Sequence, residues 1–352
     1  MTYSIAKIAQ TLGADHWGDG GLSIKSIAQP DLAGANDLAL AMDPKFASAI
    51  AAGNAKAAVL WQGADPAEYG LHAAIFAPRS RYALAGVTRM FFESPAIEPG
   101  VHPSAVVDPT AVIDDGASVG PFVVIGKRVR IGANAKIYAQ TNISDDVSIG
   151  EDALIYSGVH IGPRTKIGDG FICQSGAVIG ADGFSYVTPQ PGGIEEARAR
   201  GAVSASEGDN AFVRIDSLGG VRLGDRVEVG ANCSIDRGTL VDTVIGDGTK
   251  LDNQVHIAHN VQVGQDCLLC GQVGIAGSTV VGDRVVLGGQ VGLADHIKIG
   301  SDVVVAGKSA VSSNVPSGRV MMGNPAMKMD LNIESYKALR RLPRILKRLS
   351  RD

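Results

Sequence analysis

The chain has 352 residues, 45% hydrophobic and 5% aromatic, with 45 glycines and a formal charge of −4 at pH 7. That length exceeds a single typical domain, and the mild acidity carries no whole-chain signature of nucleic-acid binding. The opening "MTYSIAKIAQTLGADHWGDG" has neither the basic start nor the unbroken apolar run of a secretory signal, and no stretch offers a transmembrane helix, so a cytoplasmic protein is expected.

Residues 1–98 alternate strand-like pieces ("LSIKSIAQ", "AKAAVLW", "HAAIFAP") with helix-like ones ("SIAKIAQTLG", "PKFASAIAAG", "RYALAGVTRMFF") and read as a small α/β domain, joined to the rest at "ESPAIEPG".

From Val101 the chain divides into sixes: "VHPSAV VDPTAV IDDGAS VGPFVV IGKRVR" and onward to "IGADGF". The first residue of each block, through Ile179, is Val, Ile or once Cys, fourteen times in succession. The pattern resumes at Leu223, slips between Val241 and Ile245, and runs on to Val311. A helix needs a period near 3.6 and a lone strand a period of two, whereas a six-residue aliphatic period marks a parallel β-helix. Three blocks close one triangular coil, so residues 18 apart stack at about 4.8 Å along the axis. The fold class expected is mainly β: a left-handed parallel β-helix over 99–318, with the α/β domain before it. Roughly nine coils are expected. Residues 185–222 break the register as a long Pro/Gly-rich insertion, and such loops tend to be functional or disordered.

Register also interprets the histidines of "LDNQVHIAHNVQVG". His259 lies two places past inward Ile257, with Gly277 one coil above it, and His296 follows 37 residues later, two coils plus one position. A base of near-neutral pKa, a backbone N–H and a second imidazole then line one groove, an arrangement usable for acyl transfer. The competing reading, solvated polar residues on a ladder, holds for any one of them taken alone. His256 ends its block beneath Gly274, without a stacked polar partner, and is read as structural. A zinc site would need imidazoles converging to about 2.1 Å from one ion, which this offset disfavours, so no metal is expected. Of the four cysteines (Cys173, Cys233, Cys267, Cys270), only "CLLC" forms a CxxC, with no second pair, and all four are read as core thiols.

Residues 319–352 end in a helical tail, "LNIESYKALRRLPRILKRLSRD", with Leu339, Leu342, Leu346 and Leu349 at helical spacing and Pro343 expected to kink or divide it. From Lys328 on, eight Lys or Arg face three Asp or Glu, a local charge of +5 that leaves −9 on the rest of the chain. The leucine spacing suits packing in a cyclic trimer. Arg340, Arg341 and Arg344 in this basic tail suit docking of an acidic partner.

"GADGFSYV", "IDRGTLVDTVIGDGTKLDNQVHIAHNV", "IAGS" and "GNPA" together resemble the UDP-3-O-(3-hydroxyacyl)glucosamine N-acyltransferases of lipid A biosynthesis, over nearly the whole chain. The resemblance implies a homotrimer that moves a 3-hydroxyacyl group from acyl carrier protein, where phosphopantetheine holds it, to the 2-amine of an acylated UDP-glucosamine. It implies no cofactor of the enzyme's own. It makes His259 the general base, Gly277 the oxyanion donor and His296 a contact to the sugar nucleotide. It makes 1–98 a uridine-nucleotide-binding domain. There the family commonly shows Phe-x-x-Asn-Pro-Lys-Tyr, two rings sandwiching uracil, where this chain has Leu40, Asp43 and Phe46. An ionised Asp43 accepts but cannot donate, so uracil is held differently. Phe184 and Tyr186, in "ADGFSY", are expected to contact sugar or acyl chain. The competing functions are an O-acyltransferase acting on UDP-N-acetylglucosamine, which lacks such a front domain, a γ-type zinc carbonic anhydrase, and a non-catalytic β-helical scaffold.

Overall fold

The structure, a computed structural model, describes residues 2–77, 79–190, 192–203, 211–323 and 326–350. Asn324 and Pro325 of "GNPA", and residues 204–210 of the insertion, lie outside the described residues. The chain forms two compact units, Met1–Ala96 and Ile97–Asp352.

In the first unit a five-stranded sheet runs in the order Asp15–Gly18, Ala73–Phe76, Ala57–Leu60, Asp37–Ala41, Ser26–Ala28, parallel except for the first pair. Helices Ile5–Leu12 and Ser80–Phe91 cover one face, where Ile5, Ile8 and Val87 pack on Leu38, Val59 and Ile75. On the other face Ile50 of the short helix Ala47–Ala52 packs among Ala39, Ala58 and Leu60. Two strands escaped the sequence reading. "DHWG" is exposed along its length, and "DLALA" holds no β-branched or aromatic residue, so neither carries the usual strand signal.

The second unit is the expected left-handed β-helix. Its strands are mostly two residues long and pair in parallel at the predicted spacing, as in Val124↔Asn142 and His256↔Gly274. They stack into three sheets of nine, eleven and ten strands, slightly more than the hexads alone gave. The core is double what the aliphatic period announced. In most blocks the fifth residue is buried as well as the first: Val123 with Ile125, Phe171 with Cys173, Val255 with Ile257, all under 3% exposed. Cys173, Cys233 and Cys267 occupy such inward positions and are buried, and Cys270 is half-buried. Glycine follows the inward aliphatic where the next coil passes too close for a side chain: a Cβ on Gly230 would lie 2.5 Å from the carbonyl carbon of Asp252.

The slip near Val241 has a definite form. Leu223 pairs with Ile245, 22 residues on rather than 18, so four residues bulge from that coil. Val241, read as inward, is 60% exposed, and Ile245 holds the stacked place. Among its described residues the 185–222 insertion holds a two-stranded hairpin (Tyr186–Val187 with Val213–Arg214) and a helix, Gly193–Arg200. The tail is one helix, Met329–Leu349, with Pro343 inside it rather than a break, and none of its residues is buried. Proline forfeits a single i→i−4 bond, which the rest of a 21-residue helix tolerates. Among the described residues no helix is long and apolar enough to cross a membrane.

Candidate functional site

A cavity of about 370 Å³ opens on one edge of the β-helix, lined among others by Phe184, Asp236, His256, His259, Ala276 and Gly277. His259 sits at the third position of its block and Gly277 at the same position one coil above, joined through Ser278 N–H donating to the His259 carbonyl at 3.0 Å. A Cβ on Gly277 would lie 2.8 Å from His259 Cε1 and 3.0 Å from Nε2, so the imidazole occupies the space a side chain at 277 would fill. Several third-position amides are capped by the next coil: Lys127 by Asp145 in the early coils of the same edge, and Glu151 by Asp169 and Gln265 by Asp283 on another, at 2.8–2.9 Å. Among the described residues the Gly277 amide donates to nothing.

Asn260, in the left-handed conformation of the corner (φ 61°), orients the ring. Its Oδ1 accepts from Thr239 N–H at 2.7 Å, which turns its NH2 group toward His259 Nδ1 at 3.0 Å. Nδ1 is then an acceptor, and the neutral imidazole carries its proton on Nε2. Burial, and secondarily the nearby His296, hold the His259 pKa below the usual histidine value, keeping the ring neutral near pH 7.

His256 does have a polar partner, contrary to the sequence reading. Its Nε2 lies 3.9 Å from Oδ2 of Asp236, whose side chain is almost wholly buried. Burial pushes the Asp236 carboxyl up to about 6, with His256 pulling the other way. The partner escaped notice because it lies in the coil below, on the far side of the four-residue bulge. His296 stands at an exposed corner (φ 59°) with its N–H donating to the Gly277 carbonyl at 3.1 Å, and is not among the residues lining the cavity. Phe184 lines it with 84% of its surface exposed. Tyr186 does not; its hydroxyl accepts from Arg214, whose guanidinium also lies 4.9 Å from the ring centre.

The cavity continues as a trough of small residues. On the outward face His256 is followed by Gly274, Gly292 and Ala310, each paired to the next. Beside them Ala258, Ala276 and Ala294 occupy the second block position, and all but the last line the cavity. Three coil steps give the trough about 14 Å.

In the first unit Asp43 Oδ1 accepts from Lys45 N–H at 3.1 Å and caps the turn Pro44–Phe46, which holds its carboxyl below the usual range. Lys45 Nζ lies 3.5 Å from Asp43 and 5.1 Å from the Phe46 ring centre. Leu40 is half-buried in the strand Asp37–Ala41. Arg340, Arg341 and Arg344 are exposed on the tail helix. No group of three or more His, Cys, Asp or Glu side chains among the described residues is arranged to hold a metal.

Family models match two stretches of the β-helix: the GMPPB C-terminal domain over 101–184 and the bacterial transferase hexapeptide (six repeats) over 242–277. A UDP-3-O-acylglucosamine N-acyltransferase of Ruegeria pomeroyi is 59% identical over 99% of this chain and 96% of its own length. Its namesake from Paracoccus denitrificans is 54% identical over 77% of this chain and 74% of its own. Among solved structures, an Arabidopsis UDP-N-acetylglucosamine acyltransferase matches with a TM-score of 0.54 at 28% identity, covering 63% of this chain and 71% of that one.

Proposed function

The chain belongs to the UDP-3-O-acylglucosamine N-acyltransferases of lipid A biosynthesis, and from that premise we propose how its residues carry the reaction: a 3-hydroxyacyl group passes from acyl carrier protein to the 2-amine of the acylated UDP-glucosamine in the cavity around His259. The observation that carries this reading is the contact of His259 with Gly277, an imidazole kept neutral beside a backbone N–H that donates to no other described residue.

The amine nitrogen attacks the thioester carbonyl, a C–N bond forms and the C–S bond breaks. His259 takes the amine proton and returns it to the departing sulfur. The Gly277 N–H receives the negative charge on the carbonyl oxygen, a contact stronger in the transition state than before it. Base action at Nε2 needs the tautomer with its proton on Nδ1. Asn260 accommodates that by turning its amide oxygen to the ring, giving up the bond from Thr239. The acyl chain lies in the trough of glycines and alanines, and Asp236 with His256 at its polar end supplies partners for the 3-hydroxyl. The thioester brings its own activation, so the chemistry asks for no resident cofactor.

The surrounding assembly follows the same reading. The exposed apolar stripe of the tail (Ile333, Leu339, Leu342, Leu346, Leu349) packs against its counterparts in a homotrimer, and Arg340, Arg341 and Arg344 draw the acidic carrier protein in the cytoplasm. The front unit takes the uridine nucleotide. Its Phe46 offers one ring, Leu40 replaces the second, and Asp43, engaged as a cap, reads only donors on the base. His296, at the rim, meets the sugar nucleotide.

Incubation of the protein with 3-hydroxyacyl carrier protein and UDP-3-O-acylglucosamine should yield the amide, at a rate that falls sharply when the carrier is replaced by a free thioester. Absence of amide, or indifference to the carrier, contradicts the proposal.

A further inference from the structure

The two interruptions of the hexad register, the 38 extra residues between Ile167 and Leu223 and the four between Leu223 and Ile245, meet at His259. Gly183, at the outgoing root of the insertion, is buried against the imidazole: a Cβ there would lie 2.8 Å from His259 Cβ and 3.0 Å from Cγ and Cδ2. Neither Gly183 nor Gly277 has a positive φ, so backbone freedom does not account for glycine at either place; space for the ring does. The Gly183 N–H donates to Ser217 Oγ at 3.0 Å. Ser217, at the returning root, is 4% exposed. The next residues tie that root to the bulge, with Leu218 N–H donating to the Thr239 carbonyl at 2.7 Å and Gly219 N–H to that of Gly238 at 2.9 Å. Arg237 Nε donates to Asp182 at 2.7 Å and Arg237 N–H to the Ala181 carbonyl at 2.8 Å, closing the ring of contacts. Thr239 N–H, finally, holds the Asn260 amide that meets His259 Nδ1.

We propose that these two interruptions form a collar whose task is to hold the His259 ring in place, with Gly183 and Ser217 as its positioning residues. The regular hexad wall presents every third-position side chain alike and has no means of fixing one ring. The collar supplies walls at the root of the side chain and at its Nδ1 edge, leaving the Nε2 edge toward Gly277 and the cavity. The inference deepens the reading of His259 as the base and rests on it. The charged and titratable groups around the ring are His296 above, His256 in the same coil with Asp236 beneath it, and the Asp182–Arg237 pair within the collar.

The test is a double-mutant cycle on the full-length protein. Gly183→Ala, and the milder Ser217→Ala, should each lower kcat about 10-fold or more, since a small displacement of a catalytic group is costly. The KM for the sugar nucleotide should stay unchanged, and Ser217→Thr, which keeps the hydroxyl, should recover most of the rate. In a His259→Ala background Gly183→Ala should cost nothing further, because the ring it positions is gone. An equal loss with and without His259, or a loss that only tracks the folded fraction, overturns the collar. Full activity of His259→Ala alone would instead refute the base, a separate outcome.

Discussion

Two edges of the same β-helix have opposite characters. On one, Glu151, Asp169, Asp225, Asp247, Gln265 and Asp283 stack in a column, and the amides of Glu151, Asp169, Asp225, Gln265 and Asp283 are capped by the next coil at 2.8–3.0 Å, by Asp169, Asp225, Asp247, Asp283 and Ser301. Asp169, Asp225, Asp247 and Asp283 each spend a carboxylate oxygen on a neighbour's backbone N–H. On the other edge Lys127 N–H is capped by Asp145 in the early coils, but where the column reads His259, Gly277, Asp295 the Gly277 amide is uncapped among the described residues, and the register has just been broken twice. The two edges follow different sheets wrapped around the same core. The wall supplies spacing, and the chemistry gathers where the wall's own hydrogen bonding is left incomplete.

That contrast can be broken by mutations matched across the edges. The largest effect short of removing the imidazole belongs to Gly277→Ala, whose Cβ would lie 2.8 Å from His259 Cε1. Turnover should fall about 100-fold with melting temperature little changed, since misplacing a catalytic group by about 1 Å costs that much. Wild-type turnover would mean that the ring and Gly277 do not act together. The tail comes next. Reversing Arg340, Arg341 and Arg344 to Glu should raise the KM for the carrier protein several-fold at low salt and leave that for the sugar nucleotide unchanged, because surface attraction is screened beyond about 8 Å at physiological ionic strength. A carrier KM that does not move would assign the tail to assembly alone.

On the closed edge, Asp283→Ala removes the cap on Gln265 N–H and should cost about 1 kcal/mol of stability, seen in thermal denaturation, with kcat unaltered. A loss of turnover there would erase the distinction between the edges. The smallest effect is on pH dependence. His259 is held below the usual imidazole pKa by burial first and by His296 second. His296→Ala removes only the second cause, so the His259 pKa rises part of the way and the acidic limb of kcat/KM moves to higher pH. An unmoved limb would show that His296 does not act on His259 through charge.

The six-residue period made the β-helix legible because one steric rule is repeated at every corner. The same regularity placed His259 beneath Gly277 by arithmetic alone. What remained hidden lay where that arithmetic stops. Asp236 reaches His256 across a coil lengthened by four residues, and Gly183 reaches His259 from the root of an insertion, contacts that no constant offset predicts. The second inward column was missed for another reason: Ala, Thr and Cys share it with Val, as at Ala153, Thr165 and Cys267, so its apolar signal is diluted. In the front unit the inner strand "DLALA" lacked β-branched residues, so tertiary burial decides its conformation there and not local preference.

The central claim is that the imidazole on the open edge is the base of the acyl transfer. Its most direct test is the single-turnover rate of amide formation by His259→Ala, in protein whose melting temperature matches the wild type. The account predicts a fall of about 100-fold or more, with carrier protein and sugar nucleotide still binding. A rate near that of the wild type would contradict it.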